Sequence, residues 1–144
     1  MRPKLFRDPV HDIISFDLDD PVDKLVYDLV LTPTFQRLRR IRQLGFAHLV
    51  YHGAEHSRFQ HSVGVAHVAR RILATLEVHD PLDRVEVLAA AMLHDIGHGP
   101  FSHAIEKVTG VHHEALTRAM IDDPTCDVHR VLASFDPRLP ARVS

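Results

Sequence analysis

Apolar residues recur at three- and four-residue spacing through most of this chain, a pattern typical of amphipathic helices. The first such segment follows Asp20 and Pro21, which suit a helix cap and a first helical turn. It ends where Thr32-Pro33 interrupts the pattern. Its apolar positions are Val22, Leu25, Val26, Leu29 and Val30. The pattern therefore predicts one helix between Asp20 and Thr32.

A second helix is predicted over residues 32–45, because Thr32 can cap it, Pro33 suits its first position and Gly45 can end it. Its buried stripe would contain Phe35, Leu38 and Ile41. Its other faces carry Arg37, Arg39, Arg40 and Arg42. Such a basic run is more typical of a solvated helix face or a subunit contact than of a nucleic-acid site.

Helical patterns continue through the rest of the chain. A long one starts near Ser57, and another follows His79-Asp80-Pro81 and runs into His94-Asp95. Further helices are predicted over residues 101–108 and, as one or two segments, over residues 112–134. The opening stretch, with Ile13, Ile14, Phe16 and Leu18, suits a short extended segment or hairpin. The predicted fold class is mainly α with this short N-terminal element.

Composition narrows the classes of function. The chain has 144 residues, of which 45% are apolar and 25% are charged, and this balance suits one globular domain. Its formal net charge of −2 gives no global attraction to nucleic acid or to an anionic membrane, so we expect neither partner. Cys126 is the sole cysteine, and no apolar run suits a signal peptide or a membrane span. A cytoplasmic location is therefore expected.

Thirteen histidines are spread along the chain and require a chemical explanation. His94 and Asp95 adjoin at the end of an apolar helix, where a buried carboxylate needs a partner or a metal ion. His61, at the start of another helix, could supply a third ligand. Nitrogen and oxygen ligands together suit Mn, Fe, Zn, Ni or Mg, and water on such an ion can attack a phosphoester. Alternatively, Asp95 caps a turn and His94 is a hydrogen-bonded core residue.

Two segments of the chain resemble the HD-domain phosphohydrolases. They are Arg58-Phe59-Gln60-His61-Ser62 and the run His94-Asp95-Ile96-Gly97-His98-Gly99-Pro100-Phe101-Ser102-His103. Within that superfamily the chain is most similar to the branch of deoxynucleoside triphosphate triphosphohydrolases, and the likeness fades after residue 120. The resemblance implies an HD-domain helical bundle. Residues 1–144 are then expected to form a single HD domain that lacks the later C-terminal helices of the family.

By this resemblance, the metal ligands are His61, His94 and Asp95, and the cofactor is a divalent metal: Mn, Fe, Mg, Zn or Ni. Members of the branch cleave a dNTP to the deoxynucleoside and inorganic triphosphate, with water attacking the α-phosphorus. The family's metal site is completed by another aspartate from a later helix. Candidates in this chain are Asp122, Asp123, Asp127 and Asp136, whose contexts suit a helix end, a turn or a pre-proline bend. None of them is assigned, so the chain is expected to be either a fragment or a shortened protein.

The resemblance also implies roles for residues around the metal. Catalytic positions near the phosphates are matched by His98, His113 and Glu106, and Glu106 replaces a family aspartate. Substrate-binding positions are matched by Gln43 and Leu44 at the sugar and by Arg58 as a bidentate phosphate clamp. Gln36 and Arg39 match positions that bind an activating nucleotide at subunit contacts, which implies a homo-oligomer. Leu31 stands where some regulated members have an acidic residue, which argues against guanine-specific activation.

Two alternatives to dNTP hydrolysis stay open. The chain could be another HD hydrolase, acting on a nucleoside monophosphate, a cyclic nucleotide or an alarmone, because the active-site dyads are shared. It could instead be a non-catalytic nucleotide-binding or oligomerising module that lacks the final metal ligand. Release of triphosphate from a dNTP would support the first interpretation. Tight nucleotide binding without turnover, unaffected by a chelator, would support the module.

Overall fold

A computed structural model describes residues 2–144, which form eight α-helices and one two-stranded antiparallel hairpin. The strands are β1 (Lys4–Asp8) and β2 (Asp12–Phe16). The helices are α1 (Pro21–Leu31), α2 (Pro33–Gln36), α3 (Arg58–Thr75), α4 (Pro81–Leu93), α5 (His103–Thr109), α6 (His113–Asp122), α7 (Asp127–Phe135) and α8 (Leu139–Val143). The predicted mainly α class and the N-terminal hairpin are confirmed. No helix within residues 2–144 is both long and apolar enough to cross a membrane.

The hydrophobic core lies between helices that pack against α4. Helix α3 runs along α4, α1 contacts α4 and α7, and α8 packs against α4, α6 and α7. The apolar stripe predicted for α1 is buried, and Asp20 caps this helix by accepting a hydrogen bond from the Val22 N–H at 2.9 Å. From the hairpin, Ile14 and Phe16 join the same core. This packing fixes the end of α4, where His94 and Asp95 follow.

The predicted helix over residues 32–45 is shorter than expected. Thr32 caps it as predicted, but α2 ends at Gln36 and a single 3-10 turn covers Arg37–Arg40. Ile41 is extended, and its carbonyl accepts a hydrogen bond from the Arg58 N–H at 2.8 Å. Arg42 and Ser57 form an isolated antiparallel bridge. The backbone thus leaves the helix to pair with the start of α3, while Leu38 and Ile41 remain buried as predicted.

One arginine of the basic run is directed into the protein, whereas the prediction placed the run on a solvated helix face or at a subunit contact. Arg37 donates to the carbonyl oxygen of His98 at 2.7 Å and also to that of Ile96. Its side chain therefore holds the loop that follows His94-Asp95. Helix α5 starts at His103 rather than at residue 101, because Phe101 and Ser102 have φ angles of +66° and +53°, which are incompatible with a right-handed helix.

Candidate metal centre and active site

His61 is positioned by the first turn of α3. Ser57 and Gln60 form a capping box, in which the Ser57 hydroxyl accepts from the Gln60 N–H and the Gln60 side chain accepts from the Ser57 N–H. These bonds satisfy two backbone donors that a helix start otherwise leaves unpaired. His61 is the next residue, so the cap determines where its imidazole meets the end of α4.

His94 follows the last residue of α4 and is oriented by a backbone carbonyl. Its Nδ1 lies 2.9 Å from the Ala91 oxygen, and because a carbonyl only accepts, Nδ1 carries the proton. The Nε2 lone pair is then directed towards Nε2 of His61 at 3.3 Å. A ligand histidine in a metalloprotein is commonly fixed in this way by a hydrogen bond from its other nitrogen.

Asp95 completes a group of three potential ligands. Its Oδ1 lies 3.4 Å from Nε2 of His94, and its Oδ2 lies 3.7 Å from Nε2 of His61. One ligand atom from each residue lies within 4.8 Å of the others. Two nitrogens bound to one tetrahedral ion at about 2.0–2.1 Å are separated by roughly 3.3 Å. The observed separation of the two histidines therefore fits a shared divalent ion.

The electrostatics of this group also suit metal binding. Burial lowers the pKa of His61, which favours the neutral imidazole that can act as a ligand. Burial alone would raise the pKa of Asp95, but the charge of Arg58 and its hydrogen bond to the carboxylate lower this pKa below its usual value. The carboxylate is 6% exposed, whereas the His61 and His94 side chains are 36% and 38% exposed. The group thus combines an ionised buried oxygen ligand with two solvent-accessible nitrogens.

Arg58 is buried beneath this group and bound to protein atoms. Its Nη1 lies 2.6 Å from Oδ2 of Asp95, its Nε donates to the Ser102 hydroxyl at 3.0 Å, and its Nη2 donates to the Gln43 carbonyl at 3.3 Å. The guanidinium thus orients the candidate metal ligand. A role for Arg58 as a phosphate clamp stays a prediction. Leu44, the predicted sugar-pocket residue, has 51% of its surface exposed.

The loop after Asp95 is pressed against α6. The Gly97 N–H donates to the Thr117 hydroxyl at 2.9 Å, and that hydroxyl donates to the His94 carbonyl at 3.2 Å. A Cβ at Gly97 would lie 2.1 Å from the His113 carbonyl oxygen and 2.5 Å from the Thr117 nitrogen. Only glycine fits this approach, and the close contact brings His113 to the site.

The predicted catalytic residues His98, His113 and Glu106 are brought together by this loop. The His98 and His113 rings are stacked, with centroids 3.7 Å apart, and Nδ1 of His113 lies 2.7 Å from Oε1 of Glu106. Burial and the Arg58 charge lower the pKa of His98 to about 3. Burial would raise the pKa of Glu106, but hydrogen bonds from His113 and His103 lower it to about 2.

His103 also belongs to this second cluster, although the sequence assigned it no role. Its Nδ1 lies 3.3 Å from Oε2 of Glu106. The only sequence signal was its place at the end of the second motif. The two clusters adjoin, because Nε2 of His98 lies 3.5 Å from Oδ1 of Asp95.

The remaining candidate residues lie outside these clusters. Gln36 donates to the Val30 carbonyl at 2.6 Å and accepts from Arg39 at 2.7 Å, and Arg39 stacks over the Phe59 ring. Within residues 2–144, the His61 group has three members and includes none of the four candidate aspartates. Three of these aspartates accept hydrogen bonds elsewhere: Asp123 from Thr125, Asp127 from Thr34 and Asp136 from Arg138.

Two cavities flank the paired clusters. One of about 550 Å³ borders His61 and is lined by the hairpin turn, His56, Gln60 and apolar residues of α3. The other, of about 380 Å³, has Arg37, His98, Glu106 and His113 in its wall. Neither Gln43 nor Leu44 is among their lining residues. A ligand can therefore approach the clusters from two sides.

Comparisons with known proteins agree with this geometry. Residues 58–124 match the HD domain family. The chain is 47% identical over 145 aligned positions to the uncharacterized protein YwfO of Bacillus subtilis, covering 98% of this chain and 32% of that protein. It is 40% identical over 109 positions to the deoxynucleoside triphosphate triphosphohydrolase SAMHD1 of Bos taurus, covering 72% of this chain and 18% of that protein. The chain thus spans about a third or less of the length of these relatives.

A solved structure of a phosphohydrolase from Bacteroides thetaiotaomicron has the same fold. It superposes with a TM-score of 0.79 at 34% sequence identity, over 99% of this chain and 34% of that one. The matched family segment contains His61, His94 and Asp95, which are the residues that the structure gathers at the ends of α3 and α4. This chain therefore contains an HD domain, over residues 58–124, and its fold is similar along almost its whole length to that of a phosphohydrolase.

Proposed function

We propose that this chain carries the catalytic centre of a phosphohydrolase that converts a dNTP to the deoxynucleoside and triphosphate. The observation that carries the proposal is the contact between the two clusters, where Oδ1 of Asp95 lies 3.5 Å from Nε2 of His98. This contact sets a candidate metal position beside candidate proton donors. The SAMHD1 relatives are deoxynucleoside triphosphate triphosphohydrolases, which supports the choice of a dNTP as substrate.

The His61, His94 and Asp95 group would hold the divalent ion. When bound, such an ion supplies an activated water and neutralises phosphate charge. Arg58 keeps Asp95 in place through the 2.6 Å contact, and Ala91 keeps His94 in the tautomer that presents Nε2. These residues thus orient the ligands before any substrate arrives.

Glu106 and the two stacked histidines would together protonate the leaving group and bind the phosphate. Glu106 remains a carboxylate because its pKa is lowered to about 2, so it can stabilise a protonated His113 through the 2.7 Å contact. His113 could then donate a proton to the leaving oxygen. His98 is neutral at physiological pH because its pKa is about 3, so it is proposed to donate a hydrogen bond to a phosphate oxygen.

Several further assignments belong to the same proposal. Gln43 and Leu44 would contact the sugar and Arg58 a phosphate, while Gln36 and Arg39 would meet an activating nucleotide at a subunit contact of a homo-oligomer. The side chains of Gln36 and Arg39 adjoin, joined by a hydrogen bond of 2.7 Å. We also propose that residues 1–144 act as a single HD domain and that the protein is cytoplasmic.

Product analysis tests the proposed reaction. The chain with added Mn²⁺ is incubated with each dNTP and each ribonucleoside triphosphate, and the products are separated by anion-exchange chromatography. We expect deoxynucleoside and triphosphate, with loss of product on chelation and in His98→Asn. His79→Ala, at an exposed position before α4, serves as the matched control. Formation of pyrophosphate and a monophosphate, or no product despite bound metal, would contradict the proposal.

A further inference from the structure

The second cluster contains more potential ligands than its proposed catalytic role requires. One ligand atom from each of His98, His103, Glu106 and His113 lies within 4.8 Å of the others. Glu106 is central, because Nδ1 of His98, His103 and His113 lies 3.7, 3.3 and 2.7 Å, respectively, from one of its carboxylate oxygens. Three imidazoles around one carboxylate are a donor set suited to zinc-like ions.

The state of His98 is a second, independent observation. Its side chain is 1% exposed, and neither ring nitrogen has a hydrogen-bond partner among the described residues. At least one nitrogen of a buried imidazole normally has a hydrogen-bond partner, because an unpaired polar atom in the interior is destabilising. Nδ1 of His98 is directed towards Glu106, and Nε2 is directed towards Asp95. An ion bound between His98 and Glu106 would satisfy Nδ1.

We propose that these four side chains form a second site for a divalent transition-metal ion of the zinc type, separate from the His61, His94 and Asp95 site. Ligands of a tetrahedral zinc ion are roughly 3.3 Å apart. The contacts of His103 and His98 with Glu106, at 3.3 and 3.7 Å, are close to that separation. The contact of His113 at 2.7 Å would lengthen by roughly 0.6 Å when a metal replaces the shared proton.

Access and connectivity support the same site. The cavity of about 380 Å³ that borders His98, Glu106 and His113 gives an ion a route from solvent. His103 is 65% exposed and can complete the coordination from the surface. With Nδ1 of His98 bound to the ion, its proton would lie on Nε2 and face Oδ1 of Asp95. The second ion would then also fix an acidic ligand of the first.

Metal binding at equilibrium tests this proposal without relying on hydrolysis. The metal-free chain is dialysed against excess Zn²⁺ at neutral pH, and bound zinc is measured by mass spectrometry. We expect two ions for each wild-type chain and one for His103→Ala. Because His103 is exposed, its replacement leaves the core packing unchanged, and circular dichroism checks that the variant is folded. His79→Ala, with an exposed histidine before α4, should still bind two ions.

The first site is tested separately with His61→Ala, which should also retain one ion. The second site would be overturned if the wild-type chain binds one ion and His61→Ala binds none. It would also be overturned if His103→Ala still binds two ions. If His103→Ala binds fewer ions than the wild-type chain but His61→Ala does not, the second site is supported and the first site is contradicted. Since three of the ligands are also proposed catalysts, a bound second ion would interfere with proton donation, a consequence that rests on the proposed function.

Discussion

Asp95 has two tasks at the level of a single side chain: it pairs with buried Arg58 and presents Oδ1 to the candidate metal position. In Asp95→Ala, Arg58 would be left as an uncompensated buried charge, and we expect the free energy of unfolding to fall by about 3–5 kcal/mol. Asp95→Asn retains an oxygen acceptor for Arg58, so we expect it to be destabilised less, by about 1–3 kcal/mol. Both variants should lose the ion of the His61, His94 and Asp95 site. Urea denaturation and metal analysis measure the two effects.

Asp122→Asn is the matched control, because Asp122 is an exposed carboxylate at the end of α6. It should keep both the metal and the stability of the parent chain. Equal stability losses in Asp95→Ala and Asp95→Asn would show that the Arg58 contact contributes little. A metal stoichiometry unchanged from that of the parent chain in both variants would remove Asp95 from the ligand set.

Individual residues differ in how far the sequence could identify them. His94 and Asp95 could be predicted from the sequence because an imidazole and a carboxylate at the end of an apolar helix need partners. The first motif then supplied His61. The inward direction of the Arg37 side chain could not be predicted from the sequence. Its partners are the carbonyls of Ile96 and His98, and every residue type has a backbone carbonyl, so the sequence pattern does not identify such acceptors.

At the level of elements, the start of α3 depends on its capping box. Ser57→Ala removes the acceptor for the Gln60 N–H, and we expect a loss of about 1 kcal/mol in the free energy of unfolding. Because His61 follows the cap directly, metal affinity should fall as well. Thermal denaturation and a zinc titration measure these effects. Ser134→Ala, an exposed site late in α7, should change neither quantity, and an equal effect there would contradict the cap argument.

The contact of the site loop with α6 gives a second test of an element. In Gly97→Ala, the new methyl group would lie 2.1 Å from the His113 carbonyl, so the loop or the helix must shift. We expect destabilisation by about 1–3 kcal/mol and a weaker contact between His113 and His98. Gly99→Ala is the matched control, because a Cβ there has no other atom within 4 Å. Similar urea midpoints for the two variants would argue against the close approach.

The elements themselves were predicted where local signals agree with packing. Helices α1, α3 and α4 have caps and apolar stripes that specify them, and all three form. The helix over residues 32–45 was overestimated because Ile41 and Arg42 pair with the start of α3, a contact 15 or more residues away in sequence. Such tertiary pairing overrides local propensity.

For the molecule as a whole, burial of neutral His98 makes stability depend on pH. Its pKa falls from an ordinary value of 6.5 to about 3 in the folded chain. Between these values the unfolded chain binds a proton that the folded chain does not, so stability is lost as pH falls below 6.5. The loss from this group approaches about 1.4 kcal/mol per pH unit. Above 6.5 the group makes no further contribution.

Thermal melts of the metal-free chain at about pH 5 and about pH 7 measure this dependence. We expect a lower Tm at the acidic pH and a smaller difference in His98→Asn. Glu106 adds to acid sensitivity only below its ordinary value of 4.5, because its folded pKa is about 2. Between pH 4.5 and 6.5, therefore, His98 contributes to the pH dependence of stability and Glu106 does not. If Tm changes with pH equally in His98→Asn and in the parent chain, the lowered pKa of His98 is contradicted.

The backbone clearance at Gly97 also limits how this molecule can change over evolutionary time. The two nearest atoms that a Cβ there would meet belong to the main chain of α6, so replacement of a neighbouring side chain alone cannot relieve the clash. A lineage could abandon glycine at this position only by shifting the whole helix, which carries His113 away from His98. Substitution at residue 97 therefore lowers stability and disturbs the site, and libraries randomised there should be enriched in glycine wherever the contact between His113 and His98 is retained.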